Sequence, residues 1–299
     1  MSTPAPTGHS ELGRVAHYNL LERLEPAGPG ELFRARDTHR GRTVVIRLMP
    51  APDSMFLEQA KAFARVSHPN TITVFDAGEH EGRPYVAFEF VRGQSLRAEL
   101  AGRPMNVRRA IELAIQITDA VAEAHALGYV HGGLSPETIG ITAKGHAKIP
   151  AFEMATTTGF EEHDASRLRD YPSPEESRGE RGDDRSDIYS VGAILYEMLT
   201  TRRPVPRGAA APSAANPHVP KELDDVVLKA VAPNPDLRYQ SAATLASELR
   251  ALGATLDARG GAGDEEDLPQ PASHFGRVVV LTIIILAAVA IVAWWFTRS

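Results

Sequence analysis

The stretch YVHGGLSPETIGIT, residues 129–142, lies between parts of the chain whose sequence patterns differ. It follows a long segment, residues 107–128, in which apolar residues recur at helical spacing and which ends at Gly128, a typical helix C-cap. The earlier residues 18–92 contain β-branched and aromatic runs separated by turns, together with one helical segment. Residues 93–252 are dominated by apolar helical segments. The sequence therefore predicts an α+β fold with a small β-rich lobe followed by a larger α-helical lobe.

Seven segments, taken in order, resemble motifs of the eukaryotic-like bacterial Ser/Thr protein kinases. They are LEPAGPGELFRARD (24–37), TVVIRL (43–48), HPNTITVFDAGEHEGRPYVAFEFVRGQSL (68–96), the opening stretch, SPE (173–175), DIYSVG (187–192) and PNPDLRYQSAATL (233–245). The resemblance covers about Tyr18 to Leu252. It implies the bilobal protein-kinase fold.

The positions that carry kinase chemistry in this family are substituted here. According to the resemblance, Arg47 replaces the phosphate-binding Lys of the family and Gln59 replaces its partner Glu. Gly133 replaces the catalytic Asp, and Thr138 and Ala151 replace a metal-binding Asn and a metal-binding Asp. Phosphoryl transfer depends on positioning, divalent metal and charge stabilisation. We therefore expect no competent catalytic residue and no Mg²⁺-dependent site, and the chain is identified as a catalytically degenerate (pseudokinase) member of the family.

Two nearby acids could take over part of this role. Glu137 corresponds to a structural position of the family, and Glu153, the last residue of the degenerate motif Ala151-Phe152-Glu153, lies close enough to the missing Asp to contact a cation. The same loop has also lost the Arg and Lys of the family, which are replaced by Gly132 and Ser135. The structural interpretation of Glu137 is favoured.

The resemblance also implies a vestigial ATP pocket. Its expected lining is Leu24, Gly28, Gly30, Leu32, Val45, Arg47, Glu89 and Val91. Glu25 replaces the first glycine of the phosphate loop and would place a carboxylate near the phosphates, while Gly28 and Gly30 fit the other two or belong to an ordinary hairpin turn. We expect ATP to bind weakly at most, and we expect no other cofactor.

The residues that hold the kinase fold together are retained. The resemblance implies an apolar column formed by Phe63, Val74, His131 and Phe152. It also implies that Asp187 braces the catalytic-loop backbone and that Glu175 and Arg238 form a buried ion pair. His131 is interpreted as a packed core histidine, because no acid–base partner remains for it.

The activation segment, residues 151–175, is expected to respond differently from that of an active kinase. In the family, phosphate on this segment pairs with the Arg that is Gly132 here. Arg167 and Arg169 make the surface that faces the substrate in the family basic here, and they could anchor a protein partner. The alternative is a solvated loop.

The end of the chain predicts a membrane anchor. Residues 278–296 are uncharged and almost entirely apolar, and at about 1.5 Å per residue they can cross a hydrocarbon core of about 30 Å. A buried helix of the domain is the less favoured alternative. Residues 253–277 predict a flexible acidic linker. Residues 1–17 predict a disordered lead without a signal peptide, which places the kinase-like domain in the cytoplasm, at the inner membrane.

The composition narrows the function classes. A net charge of −6 gives no support for nucleic-acid binding, and the absence of cysteine excludes disulfides. The leading hypothesis is a membrane-anchored pseudokinase that binds a signalling protein as a scaffold or allosteric partner. The alternatives are a residually active Ser/Thr protein kinase and an ATP-binding sensor without turnover.

Overall fold

The computed structural model describes residues 12–24, 30–150, 171–205 and 208–265, with side chains as far as residue 259. The small lobe is a six-stranded antiparallel sheet in the order β1-β2-β3-β4-β6-β5, with one helix. Its elements are β1 (Arg14–Val15), β2 (Tyr18–Leu24), β3 (Glu31–Asp37), β4 (Arg42–Leu48), α1 (Ser54–Phe63), β5 (Val74–His80) and β6 (Arg83–Glu89).

Strand β4 forms the centre of this lobe because its sequence, RTVVIRL, is apolar on both faces. Val45 belongs to the apolar cluster that includes α1, whereas Val44 and Ile46 belong to the cluster on the opposite face. Successive side chains of a strand point to opposite faces, so a strand covered on both sides needs a continuous apolar run. Asp53 caps the start of helix α1: its carboxylate accepts a hydrogen bond from the amide of Phe56 at 2.9 Å.

The larger lobe is mainly helical. Its elements are β7 (Gly93–Ser95), α2 (Leu96–Leu100), α3 (Val107–Ala126), β8 (Gly140–Thr142), β9 (Ala147–Lys148), α4 (Pro174–Ser177), α5 (Asp184–Thr200), α6 (Pro212–Ala215), α7 (Lys221–Ala230), a 3-10 turn (Pro235–Leu237) and α8 (Ala242–Glu265). Strands β7, β8 and β9 form a small second sheet.

Helix α5 lies at the centre of the larger lobe and is buried along nearly its whole length. It packs between α3 and α7. A methyl group added at Gly192 would lie 2.7 Å from the Cβ of Ala230, so only glycine allows α5 and α7 to approach this closely. The helix that carries Asp187 is therefore a rigid support for the loop beside it.

Two predicted boundaries are wrong. The disordered lead was expected to reach residue 17, but Arg14 and Val15 already pair with β2, because pairing satisfies their backbone groups. The flexible linker was expected from residue 253, but α8 continues to Glu265, so the glycines near its end do not stop the helix. In the described ranges, no helix combines the length and apolar character needed to cross a membrane; residues 278–296 lie outside those ranges.

Candidate functional site

Asp187 holds the backbone of the loop that follows α3. One carboxylate oxygen accepts a hydrogen bond from the amide of His131 at 2.6 Å, and the other accepts one from the amide of Gly132 at 2.7 Å. His125 lies 2.8 Å from the same carboxylate. Gly132 has a φ of 64°, a left-handed conformation that favours glycine. The loop is thus fixed from the most buried helix of the lobe.

Two residues on this loop decide what chemistry it can perform. Gly133 has no side chain, and a Cβ placed there would have nothing within 4 Å. Thr138 is fully buried, and its hydroxyl lies 3.0 Å from the carbonyl oxygen of Ser135 while accepting a hydrogen bond from the Ser135 amide at 3.1 Å. The side chain of Thr138 therefore stabilises the loop itself and faces its backbone.

A cavity of about 120 Å³ opens beside this loop. Its wall includes Gly132, Gly133 and Tyr171. Neither glycine contributes an acid or a base to this space, but the wall also includes Glu176, whose carboxylate accepts a hydrogen bond from the amide of Ser173 at 2.9 Å.

His131 is buried and makes two hydrogen bonds through its ring. Its Nε2 lies 2.9 Å from the carbonyl oxygen of Pro150, and its Nδ1 accepts from the amide of Gly133 at 3.3 Å. This network assigns the proton to Nε2. Burial lowers the pKa of His131, so the neutral ring is favoured. These are the contacts of a packed structural histidine.

Glu175 and Arg238 form a buried bidentate ion pair. The two guanidinium nitrogens lie 2.6 and 2.7 Å from the two carboxylate oxygens, and Ser186 donates to Glu175 at 2.8 Å. Burial alone would raise the pKa of Glu175, but the hydrogen bonds from Arg238 and Ser186 outweigh it and lower the pKa to about 2. The pair joins α4 to the segment before α8.

Glu137 belongs to a second buried ion cluster that the sequence did not indicate. Arg97 donates to Glu137 at 2.7 Å, to Glu197 at 2.7 Å and to the hydroxyl of Tyr171 at 2.5 Å. Although burial lowers the pKa of Arg97, its hydrogen bonds to the two glutamates raise it overall. Glu137 therefore has a structural contact with Arg97, which joins α2, the loop and α5.

Arg47 and Gln59 lie on β4 and α1. Arg47 is buried, and burial lowers its pKa to about 10. Gln59 is partly buried, and in the described part of the chain no hydrogen bond joins it to Arg47. The connection that this pair of positions makes in the family is therefore not reproduced by the described contacts.

The described residues of the expected nucleotide pocket mostly pack into one apolar cluster. Leu32 and Val45 are buried in it, and Leu24 and Val91 are partly buried and pack against it. Gly30 has a φ of 92°, and a Cβ there would lie 2.7 Å from the carbonyl oxygen of Leu48. The close approach of β3 to β4 is enough to explain this glycine.

The remaining sequence-predicted residues are divided between the apolar cluster, the end of β6 and the part of the chain outside the described residues. Phe63 and Val74 lie in the same apolar cluster. Glu89 directs its carboxylate to Lys148 at 2.9 Å. The positions outside the described residues are Glu25, Gly28, Ala151, Phe152, Glu153, Arg167 and Arg169. Within the described ranges, no group of three or more His, Asp or Glu residues is arranged to hold a metal ion.

The fold and the loop define a bilobal domain of the protein-kinase class. The family model of the protein kinase domain matches residues 26–251. The chain belongs to the protein kinase family.

Similar proteins come from several bacteria. The chain is 32% identical over 265 residues to a probable serine/threonine-protein kinase of Streptomyces coelicolor and 32% identical over 263 residues to the serine/threonine-protein kinase PknB of Mycobacterium tuberculosis. Each alignment covers 78% of this chain, but 39% of the first relative and 42% of the second. The chain therefore spans about two fifths of the length of these relatives.

Solved structures support the fold assignment. The kinase domain of Mycobacterium tuberculosis PknI matches with a TM-score of 0.66, over 81% of this chain and 98% of that one. The sequence identity is 21%, so this likeness concerns the fold alone.

Proposed function

We propose that this protein is a pseudokinase, a protein kinase domain that acts by binding a signalling protein rather than by transferring phosphate. The observation that carries the proposal is the pair Gly133 and Thr138. The first has no side chain, and the hydroxyl of the second is occupied by the backbone of Ser135. Neither residue therefore supplies a general acid, a general base or a metal-binding carboxylate, although Asp187 holds the backbone of the loop firmly.

The donor set also fails to fit the divalent cation that this fold family uses. Mg²⁺ is held in proteins mainly by carboxylate oxygens together with the phosphates of the nucleotide. Gly133 and Thr138 supply no carboxylate, and Ala151, the third position, is not an acid either. We expect ATP to bind weakly at most and independently of Mg²⁺.

A residually active Ser/Thr kinase is the second candidate. It is favoured by the relatives, which are named serine/threonine-protein kinases, and by the retained brace from Asp187 and ion pair between Glu175 and Arg238. An ATP-binding sensor without turnover would keep the same contacts. These candidates differ in whether phosphate is transferred and whether nucleotide binds.

We further propose that the protein is tethered to the inner membrane, with the kinase domain in the cytoplasm. The apolar run at residues 278–296 supports a single membrane span. A protein partner would use the surface that carries Arg167 and Arg169, where the charge-reversal variant Arg167→Glu/Arg169→Glu should weaken its binding without lowering the melting temperature.

The deciding experiment is a phosphotransfer assay with the full chain in detergent micelles. Radiolabelled ATP, with Mg²⁺ and separately with Mn²⁺, is supplied together with myelin basic protein, and PknB of Mycobacterium tuberculosis serves as the active control. We expect no label on the chain or on the substrate. Metal-dependent labelling that disappears in Arg47→Ala would establish the active-kinase alternative instead. A thermal-shift titration with ATP then distinguishes a pseudokinase that binds only a protein partner from an ATP-binding sensor without turnover.

A further inference from the structure

The loop between α1 and β5 is bonded to the larger lobe. The amide of Ile149 donates to the carbonyl oxygen of Asn70 at 2.7 Å, and the amide of Ile72 donates to the carbonyl oxygen of Ile149 at 2.7 Å. The side-chain amide of Asn70 donates to the carbonyl oxygen of Ala147 at 2.8 Å and to Gln116 on α3 at 2.9 Å. This loop therefore follows β9 and α3 if the larger lobe moves.

The same loop is bonded to the last strand of the small lobe through Glu89. The amide of Glu89 donates to the carbonyl oxygen of Thr73 at 2.9 Å, and the Glu89 carboxylate accepts from the amide of Thr73 at 3.2 Å. Lys148, on β9, completes the connection: its Nζ lies 2.9 Å from the Glu89 carboxylate and 3.2 Å from the carbonyl oxygen of Thr71. We name these residues, Asn70, Thr71, Thr73, Glu89 and Lys148, the inter-lobe staple.

We propose that the inter-lobe staple holds the two lobes in one arrangement without a nucleotide. A hinge motion between the lobes would change the position of β9 relative to β6, and the bond between Lys148 and Glu89 joins those two strands directly. Both side chains are partly buried, with exposed fractions of 15% for Lys148 and 27% for Glu89. Salt screens such a pair less than it screens a fully exposed pair.

The connection is cooperative because its members share partners. The Glu89 carboxylate bonds both to Lys148 on β9 and to Thr73 on the loop before β5, so two contacts connect the end of β6 to the parts that follow the larger lobe. The carboxamide oxygen of Gln116 accepts from both Asn70 and the amide of Ala147, which fixes the start of β9 next to the loop. Removing one member therefore loosens the others.

The inter-lobe staple affects the apparent affinity of the proposed binding module for its partner. An ensemble of lobe arrangements lowers the apparent affinity of a partner that recognises only one of them. A domain held in one arrangement avoids this loss. The inference deepens the proposed function, but its test measures lobe movement and not phosphotransfer, so each can fail without the other.

The absence of cysteine allows the lobe distance to be measured with two introduced labels. Arg40, between β3 and β4, and Lys221, at the start of α7, are both exposed. The full chain carrying Arg40→Cys and Lys221→Cys is spin-labelled, and the distance distribution is recorded by double electron–electron resonance. It is compared with the same protein carrying Lys148→Met. Lys229→Met, which removes a lysine whose Glu248 and Tyr239 contacts lie within the larger lobe, is the matched control.

We expect a single narrow distribution in the parent and in Lys229→Met, unchanged by ATP with Mg²⁺, and one about twofold broader or shifted in Lys148→Met. If Lys148→Met fails to fold, Glu89→Gln serves instead, because it removes the charge but keeps an acceptor for Thr73. An unchanged distribution in a folded staple variant would overturn the proposal. A broad parent distribution that narrows only with ATP would overturn it as well.

Discussion

The hydroxyl of Thr138 lies 3.0 Å from the carbonyl oxygen of Ser135 and belongs to the loop's own hydrogen-bond network. In the protein kinase family this position carries a metal-binding side chain, as the resemblance implies. Here the side chain of Thr138 stabilises the turn that Ser135 begins. The loop thus keeps its shape, and the side chain of Thr138 stabilises that shape.

The loop should accept an acid at Gly133 without loss of stability. A Cβ at this position has nothing within 4 Å, so we expect Gly133→Asp to change the free energy of unfolding by less than about 1 kcal/mol. Phosphotransfer should stay undetectable, because Thr138 remains turned to the backbone. Gly93→Ala is the contrasting variant: its Cβ would lie 1.9 Å from the carbonyl oxygen of Ile141, so it should be strongly destabilising. Denaturant unfolding of both variants tests this; equal losses would contradict it.

Breaking the pair of Glu175 and Arg238 should destabilise the domain. Glu175→Gln leaves a buried guanidinium without its counter-charge, which costs about 3–5 kcal/mol. The double variant Glu175→Gln/Arg238→Met should lose less than the sum of the two single variants. Arg185→Met, which removes more exposed pairs with Asp183 and Asp236, should cost less than about 1 kcal/mol. Thermal melting checks all four proteins, and additive losses would show that the two residues do not act together.

Acid should remove the contribution of Glu175 in a defined range. Its pKa is about 2 in the folded chain and 4.5 ordinarily, so its ionised form stabilises the fold. This contribution is complete above about pH 4.5 and is lost as the pH falls toward about 2. The melting-temperature difference between the parent and Glu175→Gln should therefore narrow across this range. Protonation of His131 affects both proteins alike and cancels in the difference; a difference that stays constant down to pH 2 would refute the assignment.

Removing the apolar run should release the domain from membranes. Deleting residues 278–299 leaves the kinase-family domain, residues 26–251, intact. We expect the truncated protein to move from the membrane pellet to the supernatant with the melting temperature of the full chain. Persistent pelleting of a folded truncated protein would place the lipid contact elsewhere.

Much of the fold followed from the sequence because local patterns determine local elements. The predicted helix at residues 107–128 is α3, Val107–Ala126, and the apolar run around Val44 is the central strand β4. Periodicity indicates which residues are buried, and the order of motifs indicates the family. The substitutions Gly133 and Thr138 were likewise visible from alignment with the motif alone, since a missing carboxylate needs no coordinates.

Only the tertiary structure decided how the remaining polar residues are paired. Arg97 bonds Glu137 and Glu197, and Lys148 bonds Glu89, across separations of 40, 100 and 59 residues. No periodicity relates such positions, because side-chain pairing depends on which surfaces the packed elements bring together. The sequence also did not predict the extension of α8 to Glu265, because glycine is a weak helix former and its presence indicates the end of a helix. The sequence by itself determined the family and the substitutions at Gly133 and Thr138; the packing of distant elements decided which residues the retained charges hold together.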